Sequence, residues 1–382
     1  MPEYIYKNHQ LLRCGYTTGT CAAAAAKAAA RMLFSGQPVF DVSLTTPAGI
    51  TLHLPVLEIK QNTDNVTCAI QKDAGDDADQ TNGILIYATV SRTPADITVD
   101  GGIGIGRVTL PGLEQPVGAA AINSIPRKMI TEEVLREARA VGYQQGLSII
   151  ISAPEGVEIA QKTFNPRLGI QGGISILGTS GIVEPMSEKA LIDTIHVEMK
   201  QKKAQKTEIL LLSPGNYGKN FTRETWNLDL ETGLKCSNFI GDTLDMALDM
   251  EFQKILFIGH IGKLVKIASG IMNTHSHMAD ARLETLCACA LLAGADADTG
   301  RAILACTTTD NALAILQEAS LIAPVMEILV KKIQQQMCRR TEDKIAIEVI
   351  VFSNVYGILG MSEHAECFIR ELTKQHEERN TQ

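Results

Sequence analysis

ILFIGHIGKLVKIASGIMNTHSHMADAR, residues 255–282, is the stretch on which the reading of the fold turns. Ile255 to Ile258 is a short apolar run of the kind that forms a buried strand. A glycine turn comes at once, Gly259-His260-Ile261-Gly262, and Lys263 to Ala268 then has helical character. Strand, glycine turn and helix in succession put backbone N–H groups and side chains at the mouth of a parallel sheet, where open α/β sheets take their ligands. Three of the eight histidines, His260, His275 and His277, fall here beside Asn273, Thr274, Asp280 and Arg282. A strand and turn followed by a polar surface loop accounts for the same residues, and local polar density does not separate the two readings.

The pattern around this stretch extends the α/β reading. Upstream, Ile209 to Leu212 is a second buried strand, and the turn after it is Ser213-Pro214-Gly215-Asn216-Tyr217-Gly218-Lys219. CSNFIGDTLDMALDM, 236–250, brings Asn238 and Asp242 ahead of a helix. Downstream, helices are expected near 281–293, 299–306, 310–319 and 322–337, and a last strand at 345–352. Such alternation predicts a parallel three-layer sheet. The polar run at 199–207 is the best boundary in the chain, dividing a domain 1–203 from a domain 204–382.

The first domain reads as α+β. Thr17, Thr18, Gly19 and Thr20 precede a helix from about Cys21 to Phe34 that is alanine on nearly every face, with Thr20 the expected N-cap. This TTGT turn is either an anion site at a helix N-terminus or the cap of a tightly packed core helix. Residues 39–71 alternate as a β-meander. Four aspartates lie between Asp73 and Asp79, without the spacing or closing Glu of an EF-hand, so a polar loop is expected rather than a calcium site. Gly101 to Gly106 resembles a dinucleotide loop, yet Val108-Thr109-Leu110-Pro111-Gly112 cannot open the helix that fingerprint needs, which removes a nucleotide-dependent oxidoreductase. A glycine-rich loop lying against a ligand is expected instead. Glycines recur from Gly156 to Gly181, where they allow close backbone approach.

Composition bounds the function. The chain has 382 residues, 45% apolar and 20% charged, enough for two domains with their own cores. A net charge of −8 and 4% aromatics argue against nucleic acid and anionic membranes. Nine cysteines without framework spacing point to reduced thiols and a cytoplasmic protein. No apolar signal region and no membrane span are expected.

Several segments together resemble one family, CbiD: GYTTGTCAAAAAKAA at 15–29, DAGDDAD at 73–79, GGIGIGRVTLPGL at 101–113, AINSIPRKMI at 121–130, GGISILGTSGIVEPMSE at 172–188, SPGNYG at 213–218, SNFIGD at 237–242 and GHIGKLVKIASGIMNTHSHMADAR at 259–282. Ala78, Gln80 and Leu110 depart mildly from its pattern. The resemblance implies an α+β first domain and a Rossmann-like three-layer α/β/α second domain. It implies transfer of a methyl group from S-adenosylmethionine to C-1 of cobalt-precorrin-5B, giving cobalt-precorrin-6A in anaerobic cobalamin biosynthesis. Cobalt comes with the substrate, and no metal site of the protein's own is expected.

On that basis the cofactor is expected at Pro214, Gly215, Asn216, Gly218, Asn238, Asp242 and Gly259, with Asp242 accepting from the ribose. The anionic arms of the macrocycle call for Thr18, Thr20, Arg107, Arg127, Lys128, Arg167, Lys263 and Arg282, with Lys219 a further cation. His260 and His275 are the acid/base candidates, with His277 beside them; a surface or core role is the alternative for each. A homo-oligomer or contacts with other cobalamin-pathway enzymes are compatible with this reading. A non-catalytic tetrapyrrole carrier or pathway scaffold is the rival, and the second glycine turn at 214–218 speaks for a second ligand and against it.

Overall fold

The computed structural model describes residues 4–380 apart from 8, 95, 216–218 and 227. The chain forms two compact units, residues 1–188 and 189–382. Their boundary lies ahead of the polar run chosen from sequence. The helix Glu188–Ala204 buries Ile195 and Met199 in the core of the second unit, so its apolar stripe outweighs the polar tail that marked it as an end. No described helix is long and apolar enough to cross a membrane.

The first unit is a five-stranded sheet carrying helices on one face. Its strands run in the order Leu57–Gln61, Asn65–Gln71, Leu85–Thr93, Gly146–Ser152, Thr98–Gly101. Burial alternates along them: Ile86, Ala88 and Val90 point into the core while Leu85, Tyr87 and Thr89 stay half-exposed. The expected meander divides. Asp41–Thr45 and Thr51–Pro55 form a separate hairpin, and Leu57–Gln61 adds a strand at the sheet's edge.

The alanine helix, Thr18–Ser35, lies in the middle of this core, and Ala22 to Ala26 are all 0% exposed. Its small side chains let the sheet, the helix Ser124–Ala140 and the hairpin close on it together. The cap is Thr17, whose Oγ1 accepts the Thr20 N–H at 3.2 Å from an extended backbone. Thr20 is already inside the helix and donates to Gly181 O at 2.7 Å. Any of the three threonines has cap chemistry, and only the tertiary partner decides among them. Lys27, the one charge in the alanine run, is matched by Glu133 at 2.8 Å and by Ser43 O at 2.9 Å.

In the second unit Leu234–Lys235, Ile209–Ser213, Lys254–His260, Ala346–Ser353 and Gly357–Met361 lie side by side; the first four are parallel and the last antiparallel. In chain order this is 2-1-3-4-5, a doubly wound arrangement distinct from the dinucleotide-binding order 3-2-1-4-5-6. Two apolar clusters cover its faces. One joins Leu210, Phe257 and Val349 to the helices Ile240–Asp249, Arg282–Leu292 and Ile322–Arg340; the other joins Leu211, Ile258 and Phe352 to Phe368 and Ile369 of Ala365–Asn380. Burial on both faces is why the central strands read as near-continuous apolar runs, Glu348 in Ala346–Ser353 being the buried exception. The four helices expected after residue 280 are found at Arg282–Leu292, Ala297–Leu304, Thr309–Glu318 and Ile322–Arg340.

The glycine segments of the first unit approach one another. Gly104–Ile105 pairs with Gly173–Ile174, and Arg107–Val108 with Ile170–Gln171. A Cβ on Gly104 would fall on the carbonyl of Ala153, at a backbone φ of +79°. Gly104→Ala is therefore expected to lower stability by roughly 2–5 kcal/mol. Gly36→Ala, at φ +69° with nothing within 4 Å, is expected to cost about 1 kcal/mol. Urea denaturation of the two variants separates crowding from backbone strain, and equal losses would remove the packing argument.

Candidate active site

The second unit's sheet reverses its winding between Ile209–Ser213 and Lys254–His260. Hydrogen-bonded pairing between these strands stops at Leu212 and Phe257, whereas Lys254–His260 stays paired to Ala346–Ser353 as far as His260 and Phe352. The two backbones therefore part at their C-terminal ends. The space between them is a cleft of about 320 Å³ lined by Pro214, Gly215, Gly259, His260, Gly262, Lys263, Asp310 and Asn354. Reversal points of open sheets bind ligands for this reason. Gly259 is crowded, because a Cβ there would displace the Leu264 side chain and press on Pro214.

His260 is the N-cap of the helix Ile261–Ile267, its Nδ1 accepting the Gly262 N–H at 3.1 Å. That bond needs an unprotonated Nδ1 and so leaves the proton on Nε2. The ring stands edge-on to Phe352 at 5.7 Å. Burial pushes the imidazole pKa below its ordinary value, with Asp310 opposing more weakly, so the neutral ring is favoured.

Lys263 is half-buried and donates to Pro214 O at 3.2 Å. Burial also pushes its pKa down. Cys236 itself is pushed up to about 12 by burial and stays a thiol. Across the cleft Asp310 opens the helix Thr309–Glu318 behind the Thr308 cap. Its Oδ1 accepts the Ser353 hydroxyl at 3.0 Å, and that same Oγ accepts the Val355 N–H at 3.0 Å.

The expected cofactor and acid/base residues divide. Pro214, Gly215, Gly259 and His260 converge here, joined by Lys263; Asn216 and Gly218 lie outside the described residues. Asn238 does not line the cleft: its Oδ1 accepts the Thr274 hydroxyl at 3.2 Å and its carbonyl the Thr274 N–H at 3.0 Å. Asp242 is exposed on the helix Ile240–Asp249, away from the cleft lining. His275 and His277 sit exposed on the loop after residue 272, their rings 4.9 Å apart, with His275 Nδ1 accepting the His277 N–H. Arg282 forms a bidentate pair with Asp280 at 2.8 Å. The dense polar stretch is thus held by itself and by Lys266, a buried residue whose ammonium donates to Thr274 O and Ala279 O.

In the first unit Thr18 and Thr20 tie the helix start to the glycine segment: Thr18 Oγ1 accepts the Leu177 N–H at 3.0 Å. Arg107 pairs with Asp100 at 2.8 and 2.9 Å and donates to Gly101 O. Arg127 donates to Val99 O and keeps a buried Nε without a partner. Lys128 and Arg167 are exposed. The aspartates of the acidic loop are engaged within the protein: Asp73 with Arg13 at 2.5 and 2.8 Å, Asp76 with the Arg13 N–H, Asp77 with the Met186 N–H, Asp79 with Lys72 at 3.1 Å.

Sequence reasoning missed Asp310 and Asn354 as site residues. Asp310 stands in an ordinary Thr-capped helix start. Asn354 comes just after the last parallel strand, and its position at a strand's C-terminal end was the available signal.

The CbiD family model matches residues 5–185, and the CbiD C-terminal domain model matches residues 273–363. The chain belongs to the CbiD family. Two CbiD relatives, each named cobalt-precorrin-5B C(1)-methyltransferase, come from Ruminiclostridium cellulolyticum and Alkaliphilus metalliredigens. The first is 50% identical over 93% of this chain and 92% of its own length, the second 46% identical over 96% of each. A relative of the same name from Listeria monocytogenes is 41% identical over 97% of this chain and 100% of its own. The crystal structure of a cobalamin biosynthesis protein (cbiD) from Archaeoglobus fulgidus is 28% identical, covering 73% of this chain and 87% of that one, with a TM-score of 0.39. In this CbiD chain Asp310 and Asn354 fall inside the matched C-terminal domain, and the other cleft residues fall between the two matches.

The site's geometry has two measurable outcomes. In an NMR titration His260 is expected to protonate below the ordinary value of 6.5. The unfolded chain then takes up its proton first, so the His260 contribution to stability is full above about 6.5 and is lost as pH falls through the folded-state pKa. A midpoint at or above the ordinary value would contradict a buried, cap-bonded ring. Lys266→Met strips two carbonyls of their donor, at a cost of about 1–3 kcal/mol. Faster amide exchange confined to 272–281 is the expected signature, and unchanged exchange there would show that the ammonium does not hold the loop.

Proposed function

We propose that this chain is an S-adenosylmethionine-dependent methyltransferase that methylates C-1 of cobalt-precorrin-5B, yielding cobalt-precorrin-6A in anaerobic cobalamin biosynthesis. The observation that carries the reading is identity of 41–50% to proteins named cobalt-precorrin-5B C(1)-methyltransferase, over nearly the full length of both partners. The cleft at the sheet's reversal point supports a nucleoside-bearing donor there. Glycine and proline walls at Pro214, Gly215 and Gly259 suit a flat ring, and His260, Lys263, Asp310 and Asn354 add polar groups to the lining.

The chemistry asks little of the protein's own functional groups. The methyl carbon leaves the sulfonium as a ring carbon attacks from the opposite side, and the sulfur keeps the bonding pair as a thioether. The donor is already activated, so catalysis is alignment and exclusion of water. A neutral His260 spares the cationic donor a neighbouring imidazolium. The macrocycle's carboxylates call for cations. Arg127 supports this with its unpartnered Nε and with no carboxylate in ion-pair contact among the described residues. Arg107 is half-committed to Asp100, so its share of that binding is the smaller.

Anaerobic incubation of the full chain with cobalt-precorrin-5B and methyl-labelled S-adenosylmethionine tests the proposal by mass analysis of the pigment. A product heavier by one labelled methyl group is expected. Pigment bound without label transfer would favour the carrier reading, and binding of neither ligand would overturn both.

A further inference from the structure

The cleft contains an imbalance that the fold alone does not explain. Lys263 and Asp310 both line it, yet they form no ion pair with each other. Neither has an oppositely charged side chain within 4.0 Å among the described residues. At several other places the chain closes such charges. Lys27 meets Glu133, Lys72 meets Asp79, Arg340 meets Asp245, and the buried Lys266 is clasped by two carbonyls. Lys263 has one carbonyl bond for three N–H donors. Asp310 has one oxygen fixed by Ser353 and the other without a donor among the described residues. Ser353 is in turn fixed by the Val355 N–H, so the carboxylate is held in place from behind.

Separated charges of opposite sign, each positioned and each short of partners, fit a ligand that carries the inverse pair. We infer that Lys263 and Asp310 form a clamp for an α-amino-acid zwitterion: Lys263 takes the carboxylate and Asp310 takes the ammonium. Ser353 is a positioning residue for Asp310. The inference rests on the methyl-donor reading above, since the methionine end of S-adenosylmethionine bears this zwitterion, and it deepens that reading by stating which end of the donor faces which wall. The two charges cancel within the cleft, and the neutral His260 adds none, so the sulfonium meets no net positive charge from these three side chains. Burial also disfavours a bare ammonium at Lys263, which a bound carboxylate would reverse.

Calorimetric titration of the full chain with three nucleosides tests the clamp. S-adenosylhomocysteine carries both charges, decarboxylated S-adenosylmethionine keeps only the ammonium of the pair, and 5′-methylthioadenosine has neither. Lys263→Met is expected to weaken S-adenosylhomocysteine by about ten- to a hundredfold while leaving the other two within about twofold. Asp310→Asn is expected to weaken both ammonium-bearing ligands by a similar factor and to spare 5′-methylthioadenosine. Ser353→Ala should show the Asp310 pattern in reduced form. Retained 5′-methylthioadenosine binding reports an intact fold in each variant. Equal losses for all three ligands, or no losses, would overturn the clamp while leaving the donor site standing. Failure of the unaltered chain to bind any of them would overturn the donor reading and the clamp with it.

Discussion

The second unit depends on one constraint: its first and third parallel strands must separate where their connections wind to opposite faces of the sheet. Pairing between the two ends at Leu212 and Phe257, and beyond these residues each strand keeps only its outer neighbour before the chain leaves the sheet. Pro214 and Gly215 turn away on one side. On the other, Gly259 and His260 carry the chain into a helix whose first N–H groups need a cap, and His260 supplies it. The cleft, the cap and the neutral imidazole are consequences of that separation. Because Lys254–His260 stays paired to its other neighbour as far as Phe352, the separation opens on one side only, and Ser353, Asn354 and Asp310 are brought to its far rim.

The same geometry explains how much of the fold and site was legible in the sequence. Parallel strands buried on both faces are apolar almost throughout, so 209–212, 255–258 and 345–352 stood out, the last with a single buried acid, Glu348, that accepts from Ser362 and the His364 N–H. The residues just after the first two, Pro214, Gly215, Gly259 and His260, are the ones that meet in the cleft. Asp310 was not legible, because nothing within its own helix distinguishes it from any other acid in a first turn. Its position is set by a strand order that local pattern does not encode. The reverse holds for Asp242, His275 and Arg282. They lie in rich polar stretches, but closeness in sequence is not convergence in space. A loop needs polar partners to hold itself, and Asp280, Asn238 and Lys266 provide them.

The first unit shows the same ambiguity for glycine. A glycine marks a place where something comes close, and the sequence does not say what. At Gly104 the neighbour is the Ala153 carbonyl, at Gly173 it is the Gly104 backbone, and at Gly178 it is the Thr17 side chain. The TTGT turn likewise resolves toward structure, since Thr17 caps the helix while Thr18 and Thr20 stitch it to 177–181. These segments interlock at the end of the unit where the alanine helix begins, which accounts for their glycines and small residues without a ligand. The unpartnered Arg127 Nε is the feature there that this packing leaves unexplained.

Charges in this protein therefore sort by whether their partners are already present. A buried cation with its carboxylate in place gains little net stability over an apolar pair, but loses much if the partner is removed. Lys27 and Lys72 are of that kind, and their contribution is to fix how elements meet. Lys263 and Asp310 are half-buried without the compensating contact. A fold under no other pressure would relieve this by letting the two side chains meet or by moving them into water. Ser353 prevents the first for Asp310, and the bond to Pro214 O restrains the second for Lys263. Holding both charges short of partners keeps a site ready for something that pairs with both, and it places that recognition on two helix starts anchored to the sheet, through Pro214 O and Ser353, rather than on the mobile side chains of a surface.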